Sequence, residues 1–324
     1  MEDNYKKQNI KKFYEEKRII GSYYYQKQKA SSILVTADIH YHPHVNKELY
    51  KLLISHCQKV KPDYIVMPGD QIETINFIDN PKEKYFFESF LKEMADVAPL
   101  IIIPGNHEMG NFDVDKCIIR NYSDNKKSIQ YFESLNRFPN IYFLNNEQIK
   151  IKNMMFLGFS PRLETYLRRG NERINEMFIE DYLKSGLKVL KGDYNLLLTH
   201  NPLLLNESLV TSSIHDFSLI DLTISGHLHD GYLPKKLDKI VGDSNFGLFF
   251  TPFASPIPGM ICRGIHDFGR GYLFISQGFR KWTADISLFN AFEQIIANDV
   301  ERLIITHCNS LVPITKKLTK VKTK

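Results

Sequence analysis

Five short apolar runs constrain the fold of this chain more than any other feature of its sequence. Each run is four or five residues long, is rich in Leu, Ile and Val, and gives way at once to polar residues. Runs of this length are typical of strands buried on both faces. They are ILVTA at 33–37, YIVM at 64–67, LIIIP at 100–104, NLLLT at 195–199 and LTIS at 222–225. We therefore predict five buried strands.

Longer amphipathic stretches separate most of these runs. Residues 46–60, 82–97 and 175–190 place apolar side chains three and four positions apart, as a helix with one buried face does. Strands that alternate with helices are typical of an α/β fold with parallel strands. The sequence therefore predicts an α/β core.

The pattern changes near residue 232. Segments rich in apolar residues lie between Gly and Pro turns at 246–256, 270–279 and 284–290, with no long amphipathic stretch between them. Such spacing favours a second sheet with more antiparallel pairing. The run RLIIT at 302–306 is expected to be the last strand.

The net charge of +5 is concentrated at the two ends of the chain. Residues 1–29 carry +4 and residues 316–324 carry +5, which leaves the rest of the chain at −4. We therefore divide the chain into a basic N-terminal extension (1–30), one domain (31–310) and a basic C-terminal tail (311–324). Basic ends can contact an anionic membrane or a nucleic acid, or they can be no more than solvated, poorly ordered termini. We expect no obligate protein partner.

The composition is that of a soluble globular protein, with 43% hydrophobic and 24% charged residues. The four cysteines form no CxxC pair, so neither a zinc ribbon nor a disulfide framework is indicated, and a reducing compartment is expected. No apolar segment approaches the roughly 18 residues of a membrane span, and the N-terminus lacks the apolar core of a secretory signal. We expect a cytoplasmic protein, with peripheral membrane association through the basic ends as an alternative.

Metal-capable side chains follow all five apolar runs. In open α/β sheets, ligands bind beyond the carboxyl ends of the strands, where the loops of neighbouring strands meet. In chain order, the residues in these loops are Asp38 and His40, then Asp70, then Asn106, His107 and Glu108, then His200, and finally His227 and His229.

The chemistry of this set indicates two metal ions. Without counting Glu108, it offers two Asp, one Asn, five His and no thiolate, which suits first-row ions such as Mn, Fe or Zn better than Mg alone. A single zinc takes about four protein ligands, so this number is excessive for one ion. Two ions held close together are suited to in-line attack on phosphorus.

The order of these blocks resembles that of the calcineurin-like metallophosphoesterase superfamily, in particular its bacterial single-domain branch. That superfamily has the pattern D-x-H, G-D, G-N-H-[D/E], H and G-H-x-H, and all five blocks occur here between residues 38 and 229. The resemblance implies a four-layer αββα sandwich, in which two packed mixed β-sheets are flanked by helices.

The resemblance also implies a role for each block. Asp38, His40 and His229 would hold the first metal, and Asp70 would bridge both. The second metal would be held by Asn106, His200 and His227.

The implied reaction is hydrolysis of a phosphomonoester, phosphodiester or pyrophosphate bond by a hydroxide that bridges the two metals. His107 would act as general acid toward the leaving oxygen, with the carboxylate of Glu73 orienting its ring. We interpret Glu108 either as a carboxylate that supports a metal ligand from behind or as an anchor of the loop. Arg162 and Arg263 are candidate contacts to substrate phosphate.

Two alternatives remain open. A nuclease of the same superfamily would use the basic ends to hold the nucleic acid, although the charge of −4 on the body counts against it. A catalytically silent scaffold protein would keep the fold, but such a protein usually lacks a ligand or the acid histidine, and the sequence lacks neither.

Overall fold

The computed structural model shows a four-layer arrangement around two β-sheets. The residues that it describes are 12–22, 31–44, 47–113, 118–120, 122–152, 154–167, 172–190, 194–202, 220–228, 264–267, 271–279, 299–307 and 315–322. None of the helices in this part of the chain has the length and apolarity to cross a bilayer.

The first sheet has seven strands in the order β15-β1-β14-β2-β3-β4-β7. The strands β2, β3, β4 and β7 are parallel neighbours, β14 is antiparallel to β2 and parallel to β1, and β15 is antiparallel to β1. Their bounds are β1 Lys12–Ser22, β2 Ser31–Val35, β3 Tyr64–Pro68, β4 Leu100–Ile103, β7 Ile141–Phe143, β14 Asp299–His307 and β15 Thr315–Lys322.

The second sheet has six strands in the order β12-β13-β11-β10-β9-β8. Its four inner strands are parallel, and the edge strands β8 and β12 are antiparallel to their neighbours. The bounds are β8 Glu147–Ile151, β9 Met154–Gly158, β10 Tyr194–Leu198, β11 Leu222–Ser225, β12 Gly264–Asp267 and β13 Tyr272–Ile275. A separate short hairpin pairs β5 Asn111–Asp113 with β6 Ile118–Arg120.

The helices follow the strands that they connect. They are α1 Lys47–Val60, α2 Pro81–Val97, α3 Asn106–Met109, α4 Tyr122–Ser134, α5 Glu164–Leu167 and α6 Glu172–Ser185, with 3₁₀ turns at Ile75–Asp79 and Leu135–Arg137. Helix α2 begins where Asn80 accepts the Lys82 backbone N–H and Pro81 occupies the first turn, which is a typical helix start.

The two sheets pack face to face. Strand β2 shows the period of two that this requires, since Ile33 and Val35 enter the core between the sheets whereas Leu34 faces the helices. The core between the sheets includes Val66 and Ile101 from the first sheet and Phe156, Leu196, Ile224 and Phe274 from the second.

Helices cover the outer faces of both sheets. Leu53 of α1 and Phe87 of α2 share one buried cluster with Leu34 of the first sheet. Phe178 of α6 shares another cluster with Leu157 of the second sheet. The expected αββα sandwich of two packed mixed sheets is therefore confirmed.

The five apolar runs all form strands, and the three amphipathic stretches form α1, α2 and α6, within a few residues of the predicted bounds. The strand predicted at 270–279 is β13, flanked by antiparallel β12. The strands predicted at 246–256 and 284–290 lie outside the described residues.

The ends of the chain differ from expectation. The strand that contains residues 302–306 is not the last one, because β15 follows it. The segments at 12–22 and 315–322 pair with each other within the first sheet, so these parts of the termini are not loosely ordered. Domain boundaries at residues 30 and 310 stay a prediction.

Candidate metal centre

The candidate ligand loops leave the carboxyl ends of three neighbouring strands of the first sheet, β2 to β4, and of two neighbouring strands of the second, β10 and β11. Within the first sheet, the N–H of Asp38 donates to the carbonyl of Gly69 at 3.1 Å and the N–H of His40 donates to the carbonyl of Asp70 at 3.0 Å. Across the sheets, the N–H of His227 donates to Asp38 Oδ1 at 3.1 Å. The parallel order of the strands therefore brings these distant segments to one place.

Asp70 lies at the centre of the cluster. Its Oδ2 is 3.0 Å from His200 Nε2 and 3.7 Å from His40 Nε2. Its Oδ1 accepts the backbone N–H of His107 at 2.9 Å. The carboxylate is almost fully buried, so its interactions act in a medium of low polarity.

Two groups of ligand atoms share Asp70. The first group is Asp38, His40 and Asp70, and the second is Asp70, His200 and His227; within each group the ligand atoms all lie within 4.8 Å of one another. All five residues are buried. This is the arrangement that a carboxylate bridging two cations requires.

Asn106 supplies an independent test of whether a cation fits. Its Oδ1 is buried and meets no hydrogen-bond donor in the part of the chain that the structure describes. A buried acceptor without a partner costs about 1–3 kcal/mol, and a cation ligated by that oxygen would offset the cost. The oxygen and nitrogen donors at this site therefore fit a first-row divalent metal.

Four of the ligands adopt a left-handed backbone. Asp38, His40, Asp70 and His227 have φ values of 54°, 47°, 53° and 73°, a conformation that residues other than glycine seldom adopt. Such strain clusters at functional sites, where the surrounding structure imposes it. The tight turns point side chains from short loops toward a common centre.

Two glycines allow the loops to approach this closely. A Cβ on Gly69, whose φ is 93°, would lie 2.5 Å from Nδ1 of His200. A Cβ on Gly105 would overlap the carboxylate of Asp70. Any larger residue at either position would push a ligand out of place.

Glu108 ties two of the ligand loops together. Its Oε2 accepts the backbone N–H groups of Asp70 at 2.9 Å and of Gly105 at 2.7 Å. Its Oε1 accepts those of Gln71 at 2.7 Å and of Ile72 at 3.0 Å. The interpretation of Glu108 as a loop anchor is thus supported by four hydrogen bonds.

The charges at the site favour the ligand-competent forms of Asp70 and His227 and oppose those of Asp38 and His200. Burial raises the pKa of Asp38 to about 7, and the carboxylates of Asp70 and Asp38 outweigh burial and raise the pKa of His200 to about 9. Burial opposes the ionisation of Asp70, but His200 and other nearby histidines hold the pKa of Asp70 well below its usual range. Burial, with added repulsion from His200, lowers the pKa of His227 to about 3. An ionised carboxylate and a neutral imidazole are the forms that bind metals.

His107 lies beside the cluster and contacts Glu73, but not in the way that the sequence suggests. Its Nδ1 is 2.9 Å from the backbone carbonyl oxygen of Glu73. The Glu73 carboxylate instead lies with its Oε2 3.2 Å from Nδ1 of His40. The rings of His40 and His107 meet edge to face with centroids 4.5 Å apart.

The amino-acid pattern of calcineurin-like phosphoesterases matches residues 31–231, which is well over half of the chain. This chain belongs to the calcineurin-like phosphoesterase family. The matched segment begins at β2 and ends just after β11, so it contains every metal ligand that the sequence analysis assigned.

A relative within the family is an uncharacterised metallophosphoesterase from Campylobacter jejuni. It is 22% identical over 273 residues, which are 84% of this chain and 59% of the relative. This chain therefore spans less than two thirds of the length of that relative.

Solved structures of related proteins are more distant. A dimetal phosphatase from Danio rerio is 13% identical with a TM-score of 0.39, covering 76% of this chain and 87% of its own. GAP50, the anchor in the inner membrane complex of Plasmodium, is 11% identical with a TM-score of 0.42, covering 78% and 72%. A purple acid phosphatase from yellow lupin seeds is 14% identical with a TM-score of 0.35, covering 63% and 39%.

The remaining predicted site residues of this chain stay predictions. His229 and Arg263 lie outside the described residues. The guanidinium of Arg162 is held by the carboxylates of Asp181 and Glu180, with Nε 2.8 Å from Asp181 Oδ1. A phosphate would have to compete with these two carboxylates for Arg162.

Sequence reasoning missed two neighbours of the ligands. Tyr166 is buried, with its ring centroid 5.1 Å from that of His227 and 5.9 Å from that of His200. Tyr41 follows His40 and donates its hydroxyl to Glu83 Oε2 at 2.7 Å. Neither contact has a sequence motif, because each joins residues far apart in the chain.

Proposed function

We propose that this phosphoesterase hydrolyses a P–O bond of a phosphomonoester, phosphodiester or pyrophosphate with two divalent cations. The observation that supports the proposal is the position of Asp70, whose carboxylate belongs to both buried ligand groups. The Asp70 carboxylate thus lies beside the candidate ligands of both groups, which is where a carboxylate shared by two cations would lie.

The residues for one cation would be Asp38, His40 and Asp70, joined by His229 as the family pattern implies. Those for the other would be Asp70, His200 and His227, with the free carbonyl of Asn106. When bound, Mn, Fe or Zn ions supply an acidified water as nucleophile and positive charge against the phosphate oxygens.

His107 would protonate the leaving oxygen. Because the carbonyl of Glu73 can only accept a hydrogen bond, the Nδ1 of His107 carries a hydrogen, and the Nε2 is the nitrogen that can transfer a proton. Burial opposes protonation of this ring, but the carboxylates of Asp70 and Glu73 outweigh it and raise the pKa of His107. A protonated fraction near neutral pH is what a general acid needs.

A substrate panel tests the proposal. Protein loaded with Mn²⁺ would be assayed with p-nitrophenyl phosphate, bis-p-nitrophenyl phosphate and pyrophosphate. We expect turnover of at least one of these substrates. The activity should be lost when the metal is chelated and in the Asp70→Asn variant. Lys127→Ala, which removes a surface ion pair with Asp79, is the control and should keep the activity. Metal binding without turnover of any ester would instead favour the silent scaffold protein.

We also propose that the basic termini contact an anionic surface, either a membrane or a nucleic acid. Two basic segments are adjacent strands, since β1 and β15 pair from Lys12 with Lys322 to Ile19 with Thr315. Binding to anionic vesicles and to a DNA duplex, measured at increasing salt, would separate the two partners. Duplex binding with a steep salt dependence would favour the nuclease alternative.

A further inference from the structure

We infer that Glu73 serves two histidines through two different atoms: its carboxylate orients His40 as a metal ligand, and its backbone carbonyl orients His107 as the acid. The inference rests on the proposed function for the role of His107, but its first half concerns metal binding alone. It makes Glu73 a positioning residue for the cation held by Asp38, His40 and Asp70.

The first half follows from the two nitrogens of His40. Its Nδ1 lies 3.2 Å from Glu73 Oε2, whereas its Nε2 faces Asp70, 3.7 Å from Oδ2. A carboxylate at Nδ1 favours the tautomer with hydrogen on that nitrogen, which leaves the lone pair of Nε2 directed toward Asp70 and the cation. The side chain of Glu73 thus acts on the ligand from behind.

The second half follows from His107. Its Nδ1 is 2.9 Å from the main-chain oxygen of Glu73, so the side chain of residue 73 is not needed to hold the ring. The backbone of Glu73 is itself fixed, because its N–H donates to the carbonyl of Tyr41 at 2.9 Å. Substitution at position 73 therefore removes the contact to His40 and keeps the contact to His107.

This division separates two variants that would otherwise look alike. If the carboxylate served His107, Glu73→Ala would behave like His107→Ala and slow substrates with poor leaving groups most. Because the carboxylate contacts Nδ1 of His40, Glu73→Ala should weaken the binding of one cation. The change also removes a negative charge that raises the pKa of His107, but the backbone carbonyl of residue 73 keeps that ring in place as the acid. The response to the leaving group should therefore stay close to that of the unaltered protein. The side chain of Glu73 is about one third exposed, so the variant should fold.

The first experiment measures Mn²⁺ binding by calorimetry. We expect Glu73→Ala to weaken one of the two binding events by about 10- to 100-fold, the usual effect of removing a carboxylate behind a ligand histidine. Glu73→Gln keeps an oxygen acceptor at this position, so its Mn²⁺ affinity should fall less than that of Glu73→Ala. Glu88→Gln, a carboxylate on α2 paired with Arg137, is the matched control and should bind as the unaltered protein does.

A double-variant cycle tests whether Glu73 affects Mn²⁺ binding through His40. Adding Glu73→Ala to His40→Ala should weaken Mn²⁺ binding no further, because Glu73 would act only through that ring. Unchanged affinity in Glu73→Ala, or additive losses in the double variant, would overturn the first half. This measurement of Mn²⁺ binding does not require catalytic turnover. Its outcome can therefore be told apart from a failure of the proposed function.

The second experiment compares aryl phosphates of different leaving-group pKa at saturating Mn²⁺. We expect His107→Ala to steepen the dependence of kcat on that pKa and Glu73→Ala to keep the slope of the unaltered protein. Equal steepening in both variants would show that the carboxylate serves His107, and would overturn the second half.

Discussion

Individual residues at the metal centre are held in conformations that their own chemistry does not favour. The left-handed φ of Asp38, His40 and Asp70 costs each residue on the order of 1 kcal/mol, which the packed strands on either side must offset. This conformation directs the side chains toward one point, whereas along an extended strand they would alternate between the two faces.

Gly69→Ala tests the close approach of the loops. The new methyl group would meet the ring of His200 at 2.5 Å and displace Nδ1 from the Pro68 carbonyl, which it now contacts at 2.8 Å. We expect Mn²⁺ affinity to fall at least tenfold, as measured by calorimetry.

Gly186→Ala is the matched control for that change. Gly186 also has a positive φ, 75°, but a Cβ there would meet nothing within 4 Å. Gly186→Ala should therefore strain the backbone without bringing a methyl group against another side chain. We expect this variant to bind Mn²⁺ with the affinity of the unaltered protein. Similar losses of affinity in both variants would show that backbone strain, and not the contact with His200, is responsible.

At the scale of elements, a side-chain network fixes the first ligand loop to the helices above it. The Tyr41 hydroxyl donates to Glu83 Oε2 at 2.7 Å, and Lys47 Nζ donates to Oε1 at 2.8 Å. The network joins the loop after β2 to both α1 and α2.

Tyr41→Phe should lower the free energy of unfolding by about 1–2 kcal/mol, because it removes a hydrogen bond to a charged acceptor and keeps the packing of the ring. Urea unfolding measures the change. Tyr131→Phe is the control: Tyr131 is buried in the same cluster, but its hydroxyl has no hydrogen-bond partner in the described part of the chain. That variant should be neutral or stabilising, and an equal loss in both would contradict the prediction.

Asp221, which directly precedes β11, should make stability depend on pH. Burial raises the pKa of Asp221 from 3.8 to about 6, although its carboxylate accepts the N–H of Asn195 at 2.7 Å. The folded state therefore binds a proton more tightly than the unfolded state, so this group's contribution to stability is lost as pH rises from about 4 to about 6.

Asp221→Asn keeps an acceptor for Asn195 and has no proton to lose. Above pH 6 we expect the free energy of unfolding of the variant to be higher than that of the unaltered protein by on the order of 2 kcal/mol. The difference should shrink toward pH 4. Urea unfolding at several pH values measures it. Asp63→Asn is the control, because Asp63 is exposed and its carboxylate also accepts one backbone N–H. A stability difference between Asp221→Asn and the unaltered protein that does not change with pH would contradict the argument.

At the scale of the whole molecule, the candidate metal centre depends on two sheets that pack against one core. Strands β2, β3 and β4 of one sheet and β10 and β11 of the other each contribute a ligand loop, so the site forms only when the sheets pack. The strands of the termini lie on the far side of β14 from these loops.

Removal of residues 311–324 should therefore separate stability from metal binding. The truncation deletes β15, which within the described residues pairs with β1 alone, and so leaves β1 as the edge of the first sheet in that part of the chain. We expect the Tm to fall by a few degrees and Mn²⁺ affinity to stay unchanged. Loss of metal binding in a chain that still folds would show that the tail supports the site directly.

The sequence by itself determined the five buried strands, three of the helices and the order of the candidate ligand loops. Apolar runs such as those at 64–67 and 100–104 specify buried strands, because burial and periodicity act locally. The placement of Asp70 and Asn106 directly after them specifies a shared edge, because parallel strands end on the same side of a sheet.

Only the tertiary structure decided which atoms meet. Residue 73 follows Asp70 by three positions, and the resemblance to the family implied a carboxylate directed at His107. The packing instead directs the carboxylate to His40 and the carbonyl to His107. The pairing of β1 with β15 was equally hidden. Both depend on distances of a few ångströms between segments remote in the chain, which local propensity does not encode.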